Sequence, residues 1–287
     1  MANATYIGHQ STPLNPRPGM SHLPDLQEFL AVAEKCAQEA GDAIRHDFGK
    51  RLVTRYKGLY DVQLDADLVA QDKIVSELRS RFSTHRVVSE EGLDNDWRDA
   101  EFTWVVDPLD GTNNFGYGLA HCAVSLALFA GETVVLSVVF DPIVSRKFSA
   151  TVYEPLKGPI GRNVELAQAH VSLVTNYSQA GRVLGQRIQA ALATRCKRVL
   201  CLWAPALDLA LVATGAIDAM VCRNASILDV CAGAFLVTSA GGVLLGIDGA
   251  NFEVTRGMHS TPISFVAARD RTQALELLNL VHAAEDG

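Results

Sequence analysis

Residues 102–115 place the tightest constraint on this chain. Phe102-Thr103-Trp104-Val105-Val106 is a short apolar run, and it meets Asp107-Pro108-Leu109-Asp110-Gly111-Thr112-Asn113-Asn114-Phe115. The run predicts a buried strand that ends abruptly at Asp107-Pro108, because proline has no N–H for a strand ladder. Two carboxylates then stand three residues apart in one tight turn. Like charges held so close destabilise one another unless a cation neutralises them. Hard oxygen donors select Mg²⁺ or a similar ion, which combines a few carboxylates with waters and phosphate oxygens. Gly111-Thr112 behind them offers backbone N–H groups and a hydroxyl to an anion. The alternative is a turn whose aspartates accept bonds from their own backbone, and the segment alone leaves both readings open.

Apolar spacing predicts helices over 25–48 and 68–82, and then the texture changes. Two apolar runs, 122–130 and 133–140, join at Gly131-Glu132 as a hairpin, with a further strand over 146–152. Helices follow over 179–195, 206–214, 229–240 and 270–283, and strands over 199–202, 217–222, 243–245 and 263–268. Hairpins mixed with strand–helix alternation favour an α+β layering of helices and sheets over a purely parallel sheet. With 287 residues, 48% of them hydrophobic, the chain suffices for one large domain or two joined halves. The weakest seam is 154–163, where Pro155, Gly158, Pro159 and Gly161 cluster, and it divides 22–153 from 154–287. Residues 1–21, polar and proline-punctuated, are expected to be a flexible extension without chemistry of their own.

The net charge of −7 comes with no Lys/Arg-rich block, so neither nucleic acid nor an anionic membrane is an expected partner. No apolar run approaches the roughly 18 residues of a membrane span, and the N-terminus lacks a signal-peptide core, so the expected location is the cytoplasm. Six cysteines (36, 122, 196, 201, 222 and 231) form no Cys-x-x-Cys pair and are expected to be buried, reduced thiols.

Further acids recur in similar settings. Val87-Val88-Ser89-Glu90-Glu91-Gly92 puts two at the end of a short apolar run, and Ile227-Leu228-Asp229-Val230-Cys231-Ala232-Gly233 puts one where an apolar segment enters a helix. Taken singly, Glu90-Glu91 is a solvated loop, Asp229 an N-cap, and Asp61 and Asp67 turn and cap residues. Together, the Asp-Pro-Leu-Asp-Gly-Thr run, the Glu-Glu pair and the late Asp-x-x-Ala-Gly resemble the inositol monophosphatase family of lithium-sensitive phosphatases. The resemblance spans about residues 26–282.

The resemblance implies a layered α-β-α-β-α sandwich, a homodimer and two or three Mg²⁺ ions. Glu90, Asp107, the Leu109 carbonyl, Asp110 and Asp229 would bind metal. Gly111 and Thr112 would hold phosphate, with Asp110 and Asp229 beside the substrate. Asp67 would pair with Thr112, and Asp61 matches an earlier family acid. The implied reaction is attack of metal-activated water on a small soluble phosphate ester. Either Glu90 or Thr112 with Asp67 would take the water's proton. Departures from the family pattern bear on the substrate: Leu228 replaces a tryptophan, Trp203-Ala204-Pro205 replaces a glycine-led helix start, Cys222 replaces a sugar-gripping acid, and 148–163 lacks a glycine-rich pattern. Arg223, next to Cys222, could meet a second phosphate or a carboxylate. Inositol-like and sugar phosphates, fructose bisphosphate, histidinol phosphate and nucleotide 3′-phosphates all remain open. A dehalogenase-type phosphatase would need its aspartates one residue apart, whereas Pro108 and Leu109 intervene here. The non-enzymatic alternative is a phosphate-ligand binder or regulatory protein on the same scaffold.

Overall fold

The computed structural model describes residues 23–92, 97–157 and 164–286. The extension expected over 1–21 lies outside them, as does the 158–163 part of the seam. The described chain opens with helix α1 (Gln27–Ile44), a small hairpin of β1 (Val53–Tyr56) and β2 (Val62–Leu64), and helix α2 (Asp65–Arg81). Strands β3 (Arg86–Ser89) and β4 (Phe102–Asp110), the short helix α3 (Thr112–Tyr117), and strands β5 (Ala123–Ala130), β6 (Thr133–Asp141) and β7 (Arg146–Thr151) follow. The rest comprises β8 (His170–Thr175), α4 (Gln179–Ala193), β9 (Arg198–Leu200), α5 (Pro205–Ala213), β10 (Ala219–Ala225), α6 (Ile227–Ser239), β11 (Val243–Gly246), β12 (Ile263–Ala268) and α7 (Arg271–Asp286).

One five-stranded sheet has the order β3-β4-β5-β6-β7, parallel between β3 and β4 and antiparallel beyond. The other has the order β11-β12-β10-β8-β9, parallel across β10, β8 and β9. Helices α1 and α2 cover the outer face of the first sheet, and α4 and α7 that of the second. Helices α5 and α6 lie between the sheets, which completes the expected α-β-α-β-α sandwich. With both faces covered, strands read as unbroken apolar runs rather than alternating ones. In β4, Phe102, Trp104 and Val106 enter the core under α1 and α2, while Val105 enters the core shared with α5 and α6.

Several expectations shift. Strand β4 does not stop at Asp107-Pro108 but runs to Asp110. Its pairing with β5 slips between Asp107 and Asp110, and such a bulge lets Pro108 sit in a strand without breaking a ladder bond. The two aspartates therefore stand on a bulged strand end, not in a tight turn. Helix α6 starts earlier than Asp229, capped by Ser226. Strand β8 escaped the apolar pattern because its polar residues are satisfied internally: Ser172 Oγ donates to Asp208 Oδ2 at 2.6 Å, and the His170 N–H donates to Asp218 Oδ2 at 2.8 Å. The six cysteines are free thiols as expected, but Cys201 is exposed rather than buried. Among the described residues no helix is long and apolar enough to cross a membrane.

Close contact of α5 with α6 sets the middle layer. A β-carbon added at Gly233 would lie 2.5 Å from Leu209 Cβ and 3.0 Å from the Ala206 carbonyl oxygen. A larger residue there must push the helices apart. Gly233→Val is therefore expected to cost about 1–3 kcal/mol of stability, read as a lower thermal unfolding midpoint; an unchanged midpoint would contradict this packing.

Candidate active site

The ends of β3 and β4 and the start of α6 open into one cleft of about 370 Å³. Asp61, Glu90, Asp107, Leu109, Asp110, Gly111, Thr112 and Asp229 all line it. Local structure explains each position. The Glu90 N–H donates to the Val106 carbonyl at 3.0 Å, carrying the β3–β4 pairing one residue further. Asp107 shares the strand face of Val105, towards α6, and its Oδ1 accepts from the Leu109 N–H at 3.0 Å. Asp110 Oδ2 accepts from the Leu207 N–H at 3.1 Å. That N–H lies in the first turn of α5, where unpaired donors and the helix dipole favour negative charge. At α6, Ser226 Oγ accepts from the Leu228 N–H at 3.2 Å and Asp229 Oδ2 from the Ser226 N–H at 3.3 Å. Asp107 and Asp229 thus satisfy local backbone and face the cleft as well; the two readings coexist.

Crowding shows in the acidities. Burial pushes the Asp107 carboxyl well above the ordinary range, and the neighbouring Glu90, Asp110 and Asp229 push it further. Asp110 is raised by burial and by Asp229, against the lowering effect of the Leu207 N–H. Asp229 rises to about 7, again from burial first and Glu90 second. One cation reaches the group among the described residues: Lys57 Nζ lies 2.7 Å from Glu90 Oε1 and also contacts Glu91, whose other oxygen accepts from Gln63. Burial would lower the Lys57 pKa, yet Glu90 and Glu91 together raise it. One ammonium does not balance this many buried acids. Among the described residues no three His, Cys, Asp or Glu side chains close into a ready-made metal cage. The donor set is nonetheless all hard oxygen, short of positive charge, and fits Mg²⁺ with part of its shell left to water.

Beside the acids, Gly111 adopts φ +81°, a conformation side chains resist, and an added β-carbon would meet the His121 carbonyl oxygen at 2.9 Å. It turns the chain from β4 into α3 with Thr112 first. The Thr112 hydroxyl lies 2.8 Å from Asp67 Oδ1 and 2.9 Å from the Leu109 carbonyl oxygen. A hydroxyl has a single proton for these two acceptors, and the one it shares with Asp67 stabilises that carboxylate. Asp67 is fully buried at the start of α2, and burial raises it to about 7 although the Leu64 N–H and Thr112 both stabilise its charge.

One sequence candidate falls elsewhere. Arg223 does not line the cleft; its guanidinium pairs with Glu285 of α7 at 2.5 Å. His121 is buried against Asp208 at 2.7 Å, inside the scaffold behind Asp110. Trp104 is core, as expected, and donates to His85. Sequence reasoning missed Lys57, Tyr177 and the Leu207 N–H. A single lysine in a turn, or a backbone donor, leaves no motif to find. Asn114, which ties the His121 and Leu202 carbonyls at 2.8 and 2.5 Å, could have been suspected from its place directly after the Gly-Thr turn.

Family and relatives show a phosphoric monoester hydrolase. Comparison with known proteins places it more closely: the inositol monophosphatase family matches residues 25–283, and the chain belongs to that family. It is 30% identical to inositol monophosphatase 1 of Solanum lycopersicum over 257 residues, covering 82% of this chain and 90% of that protein. It is 29% identical to the Nus factor SuhB of Pasteurella multocida over 240 residues, covering 81% and 90%. The inositol monophosphatase structure from Thermotoga maritima superposes with a TM-score of 0.79 at 23% identity, covering 90% of this chain and 98% of that one, a likeness of fold.

The raised acids predict a pH dependence. Asp67 and Asp229 stand near 7 in the folded chain against a reference of 3.8. Between about pH 4 and pH 7 the folded chain then holds more protons than the unfolded one. Without divalent cation, stability is expected to fall as pH rises through that window, on the order of 1 kcal/mol per pH unit for each group. Thermal unfolding in chelator across this range checks it; a midpoint that rises with pH would contradict the assignment.

Proposed function

We propose that the chain hydrolyses a small soluble phosphomonoester with water, using Mg²⁺ held by Glu90, Asp107, the Leu109 carbonyl, Asp110 and Asp229. The observation that carries this reading is the convergence of these groups on one cleft beside Gly111 and Thr112. Bound there, two or three Mg²⁺ ions would offset phosphate charge and make water a stronger acid. The protein's own residues do the rest. Gly111 and Thr112 receive the phosphate through backbone N–H groups. The water's proton passes to Thr112 Oγ1 as that hydroxyl gives its own to Asp67 Oδ1. A carboxyl near 7 is matched to proton transfer at neutral pH, whereas Glu90 already holds Lys57. Residues 22–153 supply Glu90, Asp107 and Asp110, and residues 154–287 close the site with Asp229.

Val174, Tyr177, Trp203 and Leu228 form an apolar wall of the cleft, so the leaving alcohol presents an apolar face there. Relatives named inositol monophosphatases support a polyol phosphate as the first ester to try. A homodimer in the cytoplasm belongs to the same proposal. Relatives named Nus factor SuhB favour a regulatory role as a second reading. It predicts ligand binding without turnover of any ester.

Asp110→Asn is expected to lower Mg²⁺-dependent phosphate release on the order of 10³-fold, with the unfolding midpoint held or raised because one repelling charge is gone. Li⁺ is expected to inhibit the wild type, less so as Mg²⁺ is raised. Near-normal activity in Asp110→Asn would overturn the metal assignment.

A further inference from the structure

A second basin of about 680 Å³ adjoins the cleft. Asp61 and Tyr177 line both, and the basin continues along the 57–61 turn to the first turns of α4 at Arg182, Val183 and Gln186. Arg182 lies over the ring of Tyr60, with Cζ 4.0 Å from the ring centroid. Among the described residues it makes no ion pair. In a chain with net charge −7, a half-buried arginine without a carboxylate partner calls for an explanation.

Stacking occupies the flat face of the guanidinium and leaves its in-plane N–H donors available. A guanidinium already held by its face loses little freedom when it forks onto a carboxylate or phosphate. Its support is itself fixed. Asn113 Nδ2, from the helix that follows the Gly-Thr turn, donates to the Tyr60 carbonyl at 3.0 Å. The Lys57 and Gly58 N–H groups donate to the Asp61 carbonyl at 3.0 and 3.3 Å and close the turn. On the opposite side Gly181 is pressed against Asn176, where an added β-carbon would lie 2.0 Å from Oδ1. The other cation of the basin, Lys57, is engaged by Glu90 and Glu91.

We infer that the natural ester carries a second anionic group, phosphate or carboxylate, on the far side of its alcohol, and that Arg182, stacked on Tyr60, binds it. The inference rests on the phosphatase reading and narrows its substrate class. Arg223, which the sequence suggested for this contact, is taken up by Glu285.

Three esters on one ring test it: glucose 1-phosphate, glucose 1,6-bisphosphate and glucuronic acid 1-phosphate. They differ at carbon 6 as hydroxymethyl, phosphate and carboxylate, so they also separate the two anion types. At least one anionic ester is expected to exceed the neutral one in kcat/KM by about tenfold at low salt, with the ratio shrinking as ionic strength rises. Arg182→Gln is expected to bring that ratio close to one, and Tyr60→Ala to reduce it in part. The ratio is the readout because a purely structural role for Arg182 would slow all three esters together and leave it standing. A wild-type ratio near one, or a ratio unchanged by Arg182→Gln, overturns the inference. If none of the three turns over, titration calorimetry with the same compounds decides the basin separately from the phosphatase reading. Tighter binding of an anionic member, abolished by Arg182→Gln, upholds it; equal binding overturns it.

Discussion

Carboxylates crowded together along one cleft govern this structure. Removing an ion from water costs several kcal/mol even after relaxation, and a folded domain has only about 5–15 kcal/mol of net stability. Asp107, Asp110 and Asp229 therefore cannot all stay charged without compensation, and their raised pKa values express that conflict. Either protons or cations must resolve it. A layered fold with ample apolar burial on both faces of each sheet can tolerate such a site, since three apolar cores secure its stability.

The fold also limits how far the acids can relax. Asp107 and Asp110 both pair with β5, on either side of the bulge at Pro108. The first turn of α5 holds Asp110 through the Leu207 N–H, and α5 is in turn set by its contact with α6 at Gly233. Helix α6 carries Asp229 on a Ser226 cap. The glycine of the Asp-x-x-Ala-Gly segment and its aspartate thus serve one arrangement: the first permits the helix contact, and the second uses it. Buried behind this layer, the His121–Asp208–Ser172 chain of bonds ties α5 to β8 and to the loop after α3.

Much of this was legible in the residues. Long apolar runs at 122–130 and 133–140 announced the central hairpin, and acids at run ends announced Glu90, Asp107 and Asp110. Asp229 was harder, because an N-cap and a site residue look alike in sequence; the cap is Ser226, and Asp229 sits three residues into the helix, accepting from the Ser226 N–H while lining the cleft. Contacts between distant segments left little local trace. Lys57 meets Glu90 across 33 positions, and Leu207 meets Asp110 across 97. Arg223 drew notice as a neighbour of Cys222, yet strand alternation turns it away from the cleft; Arg182 had no motif around it and stands on the adjoining basin. Strand β8 hid for a related reason, its polar residues finding partners in α5 and beside β10.

Direct sight of the cation tests the central claim best. Crystals grown with Mn²⁺ in place of Mg²⁺ and measured at the manganese absorption edge are expected to show anomalous density within about 2.0–2.3 Å of carboxylate oxygens from Glu90, Asp107, Asp110 and Asp229. Density at that distance from none of these oxygens, at saturating Mn²⁺, would contradict the account.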